Sequence, residues 1–154
     1  MSVVRYFSPE RRLAKAIAVP GGKKIDIAIA DAEEQIALAS PQTAQKIDEI
    51  LEAIYHLAAA GADTQLPLLY ERVREIAGMA ALADLPDLGL AAHTFCEQID
   101  LAISMGALTE KQMQVNLGAM RLLRQPDRFS PAERQGLLDN LLAVLDKANK
   151  TAAT

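Results

Sequence analysis

Three times along this chain a serine stands directly before a proline: Ser8-Pro9, Ser40-Pro41 and Ser130-Pro131. A serine hydroxyl accepts a hydrogen bond from the unpaired N–H groups of a first helical turn. Proline fits the first helical position because its missing N–H would be unpaired there anyway. Each pair therefore predicts a helix start. Ser130 with Glu133, and Thr109 with Gln112, add the reciprocal capping-box spacing. With this punctuation, helices are expected near residues 8–18, 24–38, 41–60, 63–82, 86–105, 109–124 and 131–149. No stretch alternates as a strand would, and Val, Ile and Thr never cluster. The chain is 51% apolar but only 4% aromatic and has no Trp, so its core is Leu, Ile, Ala and Val, which suits close-packed helices.

The expected connections are short: Gly21-Gly22, Gly61-Ala62, Ala83-Asp84-Leu85, Gly106-Ala107 and Gln125-Pro126-Asp127. Short links between long amphipathic helices make antiparallel neighbours, so the fold class predicted is an all-α, up-down four-helix bundle with additional N-terminal helices. Leu66, Leu69, Val73, Ile76 and Ala80 recur at three- and four-residue steps, as do Leu88, Ala92, Phe95, Ile99 and Ala102. Ile47, Ile50, Leu51 and Ile54, with Leu137, Leu141, Val144 and Leu145, supply the other two long walls. The 154 residues suit a single domain, with the bundle over about 41–149 and an N-terminal helical extension over 8–38.

Charge and composition exclude several classes. A net charge of −4, with Lys and Arg scattered apart from Arg11, Arg12 and Lys15, leaves no basic footprint for nucleic acid. The N-terminus lacks an apolar signal core, and no apolar run approaches a membrane span. The lone Cys96 cannot form an internal disulfide and is expected to be a buried, inert thiol. A soluble cytoplasmic protein follows, with no cofactor. His93, Glu97 and Asp100 share a helix face, but such a trio is read as a solvated stripe, not a metal site. No glycine-rich phosphate loop or nucleophile elbow is present, so the chain is not read as an enzyme.

One helix carries a second face that core building does not use. On the helix at 63–82 it comprises Tyr70, Arg74, Ala77, Gly78 and Ala81, with Glu75 at its edge. A glycine inside a helix costs roughly 1 kcal/mol against alanine, so Gly78 calls for a reason. A close helix contact, or the approach of a partner's backbone, would supply one. Standing one turn beyond Arg74, it also leaves space beside that side chain.

The run Arg74-Glu75-Ile76-Ala77-Gly78, then Leu85-Pro86, then Thr94-Phe95-Cys96 resembles the alphaproteobacterial form of the histidine phosphotransfer domain. That family's motif runs His-Asp-Ile-Lys-Gly, Gly-Gly-Thr-Phe-Gly-Tyr-Pro and Ser-Leu-Cys. Ile76 and Gly78 match outright, and Leu85-Pro86 and Thr94-Phe95-Cys96 match in kind and distance. Arg74 falls at the phosphoacceptor histidine and Ala77 at the lysine, while residues 80–84 depart from the pattern. The likeness covers residues 41–105 in pattern and 74–96 in motif. It implies a phosphorelay fold and docking face without the chemistry, because a guanidinium has no usable lone pair and cannot accept a phosphoryl group. The implied partner is a response-regulator receiver domain or a histidine kinase. The implied contact residues are Tyr70, Arg74, Glu75, Ala77, Gly78 and Ala81.

Two rival readings stay open. The bundle can be a structural module that dimerises through the same small-residue face. It can instead be an active phosphotransfer protein using His93 or His56. Ala92-His93-Thr94-Phe95 has the look of a phosphotransfer opening, but in that register Cys96 and Glu97 take the places of the lysine and glycine. His93 is better read as a helix-flank residue paired with Glu97, and His56 as a residue of a helix C-terminal turn.

Overall fold

The computed structural model describes residues 24–59, 65–106 and 108–152. Among them the order is α1 (Ile25–Ala59), α2 (Leu66–Met79), α3 (Pro86–Met105), α4 (Glu110–Leu123), a 3₁₀ turn (Pro126–Arg128) and α5 (Pro131–Ala152), with no strand. The all-α, up-down bundle expected above is the architecture found. The helix expected at 8–18 lies outside the described residues. The chain divides into two units, Met1–Gln35 and Ile36–Thr154. The described part of the first is the opening of α1, and the second holds everything that follows. Among the described residues no helix is long and apolar enough to cross a membrane.

Three helix starts obey their local chemistry. Thr109 caps α4 with both halves of the capping box in place. At α5 the Ser130 hydroxyl accepts from the Glu133 N–H at 3.3 Å, and the Glu133 carboxylate accepts from the Ser130 N–H at 2.8 Å. Pro86 opens α3 at its first turn. The Ser40-Pro41 pair does not start a helix, which corrects the two helices expected at 24–38 and 41–60: α1 runs straight through Pro41. An interior proline removes one backbone bond and crowds the carbonyl four residues back. Here residues 37 and 41 lie on an exposed stretch where water can serve that carbonyl, and Thr43 donates its hydroxyl to Ala39 O at 2.9 Å.

Helix α2 is shorter than the expected 63–82. Pro67, in its first turn, resists extension backward. Its far end closes through a tight turn in which Leu85 N–H donates to Ala80 O at 2.9 Å, with Asp84 at φ 56° in the left-handed region. Aspartate is among the few non-glycine residues that tolerate this conformation. Pro86 then follows at once.

The apolar periodicity lands where it was expected except on α5, where Leu138 is buried and the expected Leu137 and Val144 are only half-buried beside Leu141 and Leu145. Ile47, Ile54, Val73, Ile76, Ala80, Leu88, Ala92, Phe95 and Ile99 are fully enclosed. Each large aliphatic or aromatic side chain removed from water in this way stabilises by roughly 1.5–3 kcal/mol. Helix α4, left outside the four long walls in the reading above, is also a wall: Met113, Leu117, Met120 and Leu123 are buried on it. Polar ties fix the arrangement. Arg124, at the end of α4, grips Asp48 of α1 with two bonds of 2.7 and 2.9 Å. Tyr55 donates its hydroxyl to Leu117 O at 3.1 Å, and burial raises its pKa above the ordinary value. Arg134 of α5 binds Asp87 of α3 at 2.8 Å and caps the carbonyls of Pro126 and Phe129.

Candidate functional site: the outer face of α2

Helix α2 buries Leu66, Leu69, Val73 and Ile76, which turns Leu68, Glu71, Arg72 and Arg74 outward. Arg74 projects into solvent with about two thirds of its side chain exposed, 66%. Its nearest acid is Glu71 at 3.8 Å, a contact too long and too wet to hold the guanidinium. Beside it Arg72 and Glu75 form a closer pair at 3.1 Å. A shallow concavity runs over this surface, bringing Arg74, Glu75, Ala77 and Gly78 together. Its charges balance, with Glu71 and Glu75 offsetting Arg72 and Arg74, so no strong single-sign field surrounds Arg74.

Two of the six expected contact residues lie elsewhere. Tyr70 is half-buried against the core, as Ala77 is, but stands outside the concavity that Ala77 lines, and Ala81 falls in the turn after α2 rather than on its helical wheel. The helix ends at Met79, so the spacing that put Ala81 on this face no longer applies there. Conversely, Leu68, Glu71 and Arg72 line the concavity and were not anticipated. The signal was available: 68, 71, 75 and 78 follow one another at three- and four-residue steps.

The two glycines near this corner differ sharply. A Cβ built on Gly78 meets nothing within 4 Å. Tight packing inside the chain is therefore not its reason. Gly118 and Gly136 are equally open, so openness alone marks no site. Gly78 is singled out by lying in the concavity, one turn from Arg74. The close contact belongs to Gly89 of α3, whose Cβ would stand 3.2 Å from Ala80 Cβ.

Cys96 lies on the inner side of the same helix pair. It is buried, as expected, and its pKa is pushed up to about 11, chiefly by burial and then by Asp100. The nearby Arg74 charge pulls the other way without prevailing. At neutral pH it is a neutral, unreactive thiol. His93 stands on the exposed flank with Nε2 3.3 Å from Glu97 Oε1, the pairing expected from their spacing. His56 lies in the last turn of α1. Among the described residues no group of three or more His, Cys, Asp or Glu side chains could hold a metal ion.

A second feature was not legible in the sequence. Gln98 and Asn116 are buried between α3 and α4, where Asn116 donates one amide to Gln98 Oε1 at 2.8 Å and to Gln112 O at 2.8 Å. Because that nitrogen sits between two acceptors, the amide orientations are fixed. Gln98 Nε2 and Asn116 Oδ1 are then left without partners among the described residues. Each such buried group costs about 1–3 kcal/mol. Gln98 lines a groove of about 570 Å³ formed by the ends of α3, α4 and α5.

Comparison of this chain with protein-family models, with curated proteins and with solved structures found no match.

Proposed function

We propose that this protein is a non-phosphorylatable, histidine-phosphotransfer-like docking module. It binds a response-regulator receiver domain, or a histidine kinase, in the cytoplasm and passes no phosphoryl group. The observation that carries the reading is Arg74: an exposed guanidinium at the position of the family's acceptor, one turn from an open glycine, in a concavity on the second helix of the bundle. A receiver's phosphorylation site is a cluster of acidic side chains that holds a divalent metal. Arg74 enters that cluster as a permanent cation with five fixed donors, in the place where an imidazole would receive phosphate. Leaving Glu71 costs it little, since an exposed pair at 3.8 Å contributes about 0–1 kcal/mol at most. Gly78 lets the partner's backbone come close, and the half-exposed Leu68 gives the contact an apolar edge. Occupying the acidic cluster without chemistry sequesters the receiver or competes with its metal.

The test mixes purified protein with a phosphorylated receiver from the same cell and follows both complex formation and label transfer. Binding without transfer is expected, weakened at least tenfold by Arg74→Glu. Acid-labile label removed by His93→Ala or His56→Ala would replace this reading with active relay. A concentration-dependent mass in light scattering, with no receiver binding, would replace it with a structural module.

A further inference from the structure

We infer that residues 8–18 fold back on the opening of α1 and cover its apolar stripe, an antiparallel hairpin in which the chain's own N-terminal segment is the occupant. The inference goes beyond the proposed docking role and uses none of its residues. Ile25, Ile29 and Ala32 follow one another at four- and three-residue steps, so they share one face of α1. That face is bare: Ile25 is 78% and Ile29 53% exposed, and Ala32 is exposed as well. Aligned apolar side chains on a water-facing helix form a seam that asks for a cover, unlike apolar residues scattered singly. Asp26 and Glu33 stand along one edge of this seam.

Three observations choose the occupant. The first is charge. Residues 24–35 carry Asp26, Asp31, Glu33 and Glu34 against Lys24, a net −3, whereas residues 1–23 carry Arg5, Arg11, Arg12, Lys15 and Lys23 against Glu10, a net +4. The N-terminal segment is therefore complementary to this stretch, and a second copy would set the acidic stretch against itself. The second is place. Residues 1–23 end at the foot of the stripe, and Pro20-Gly21-Gly22 carries the chemistry of a chain reversal. A reversal centred on Gly21 brings Ile17 level with Ile25 and Leu13 level with Ile29. Leu13 and Ile17 are one turn apart on the helix that Ser8-Pro9 predicts, so both meet the stripe together. Arg11 and Arg12 then stand within about one turn of Glu33 and Glu34. The third is the division of the chain. Its boundary falls after Gln35, inside α1, so the stripe belongs to the same unit as residues 1–23 and not to the bundle.

The experiment places cysteine pairs in the full chain, whose native Cys96 is buried, and oxidises dilute protein with glutathione disulfide. Leu13→Cys with Ile29→Cys should close an internal disulfide, read as a fast-running monomer on a non-reducing gel. Closure should be about tenfold faster than for Leu13→Cys with Ile27→Cys, which sets the second cysteine on the far side of α1. Adding Arg11→Glu and Arg12→Glu to the first pair should slow closure about threefold, and Glu33→Lys with Glu34→Lys should restore it. Without added cysteines, Leu13→Asp with Ile17→Asp should speed amide hydrogen exchange at Ile29 about tenfold. Equal closure of the two cysteine pairs, closure indifferent to charge reversal, or unchanged exchange at Ile29 would overturn the inference. So would a disulfide formed only between chains, since a second copy would then be the occupant.

Discussion

Helices α2 and α3 meet at a corner where two glycines have opposite surroundings. Gly89 presses on Ala80, with an added Cβ 3.2 Å from that methyl, whereas Gly78 would meet nothing within 4 Å. The same residue type therefore has two kinds of cause. At Gly89 the cause is inside the chain, because any side chain would push the α2 turn away from α3. At Gly78 no neighbour within the chain explains the missing side chain. Gly118 and Gly136 share that openness, so the docking proposal uses the place of Gly78 in the concavity beside Arg74, not its openness by itself.

The largest effect expected is at the inner glycine. Gly89→Val places branched carbons against Ala80 and against the Ala77 carbonyl, whose oxygen already lies 3.9 Å from the built Cβ. Overpacking of this kind costs about 1–3 kcal/mol, and chemical denaturation should show a lower midpoint at unchanged slope. A variant as stable as the parent would mean that the corner is loose, and the contrast with Gly78 would collapse.

Cys96 sharpens the same contrast from within the seam. With its pKa pushed up to about 11 from an ordinary value of 9.0, the native thiol is far less ionised near pH 8 than an exposed one. Alkylation by iodoacetamide there should run roughly 100-fold slower than in denaturant, since the thiolate is the nucleophile. The sign for stability follows from the raised pKa. The native state favours the neutral thiol, so the contribution is fully present below the unfolded pKa. It is lost as pH climbs from about 9 through about 11. Cys96→Ala should blunt that alkaline loss, and alkylation as fast as in the unfolded chain would place Cys96 on the outer face after all.

Much of this architecture was legible because its punctuation is chemical and local. Pro86 and Gly106 bracket α3, with Gly106 at φ 78° where glycine is favoured, and the expected range 86–105 is the range found. Thr109 with Gln112 and Ser130 with Glu133 did the same for α4 and α5. Ser40-Pro41 carries the same local signal and misled, because a dipeptide does not reveal whether a proline inside a helix lies where water can serve the carbonyl it frees. The end of α2 was missed for a related reason: its left-handed turn residue is Asp84, not a glycine. At the site, Arg74, Glu75, Ala77 and Gly78 came from helical spacing alone. Leu68, Glu71 and Arg72 were overlooked because the face was centred on the line through Tyr70, Arg74, Ala77 and Ala81, one helical step away from the line through 68, 71, 75 and 78. The groove at Gln98 and Asn116 was beyond reach, since it depends on two helices meeting eighteen residues apart in sequence.

On the outer face the expected effects are smaller, and one has the opposite sign. Gly78→Ala should stabilise the protein by up to roughly 1 kcal/mol, because alanine is the better helix former and nothing obstructs its methyl. If the face is kept open for a partner, the same variant should bind a receiver less tightly even as its melting temperature rises. Opposite movement of the two quantities is the signature of a residue kept for docking. Loss of stability in Gly78→Ala would instead reveal a packing role and dissolve the comparison with Gly89.

The smallest effect tests whether the outer face is held by its own charges. Arg72 and Glu75 lie 3.1 Å apart, but their side chains remain 45% and 39% exposed, so water screens them heavily. A double-mutant cycle to alanine at this pair should return a coupling of about 0.2–0.5 kcal/mol, falling further in 1 M salt. At Arg74 and Glu71, separated by 3.8 Å, the cycle should return less still. A coupling well above 1 kcal/mol at Arg74 would mean that its guanidinium is committed within the chain. It could not then swing into a partner's acidic cluster without a cost comparable to the contact it would make. A coupling near zero leaves Arg74 electrostatically available, as its place beside an open glycine requires.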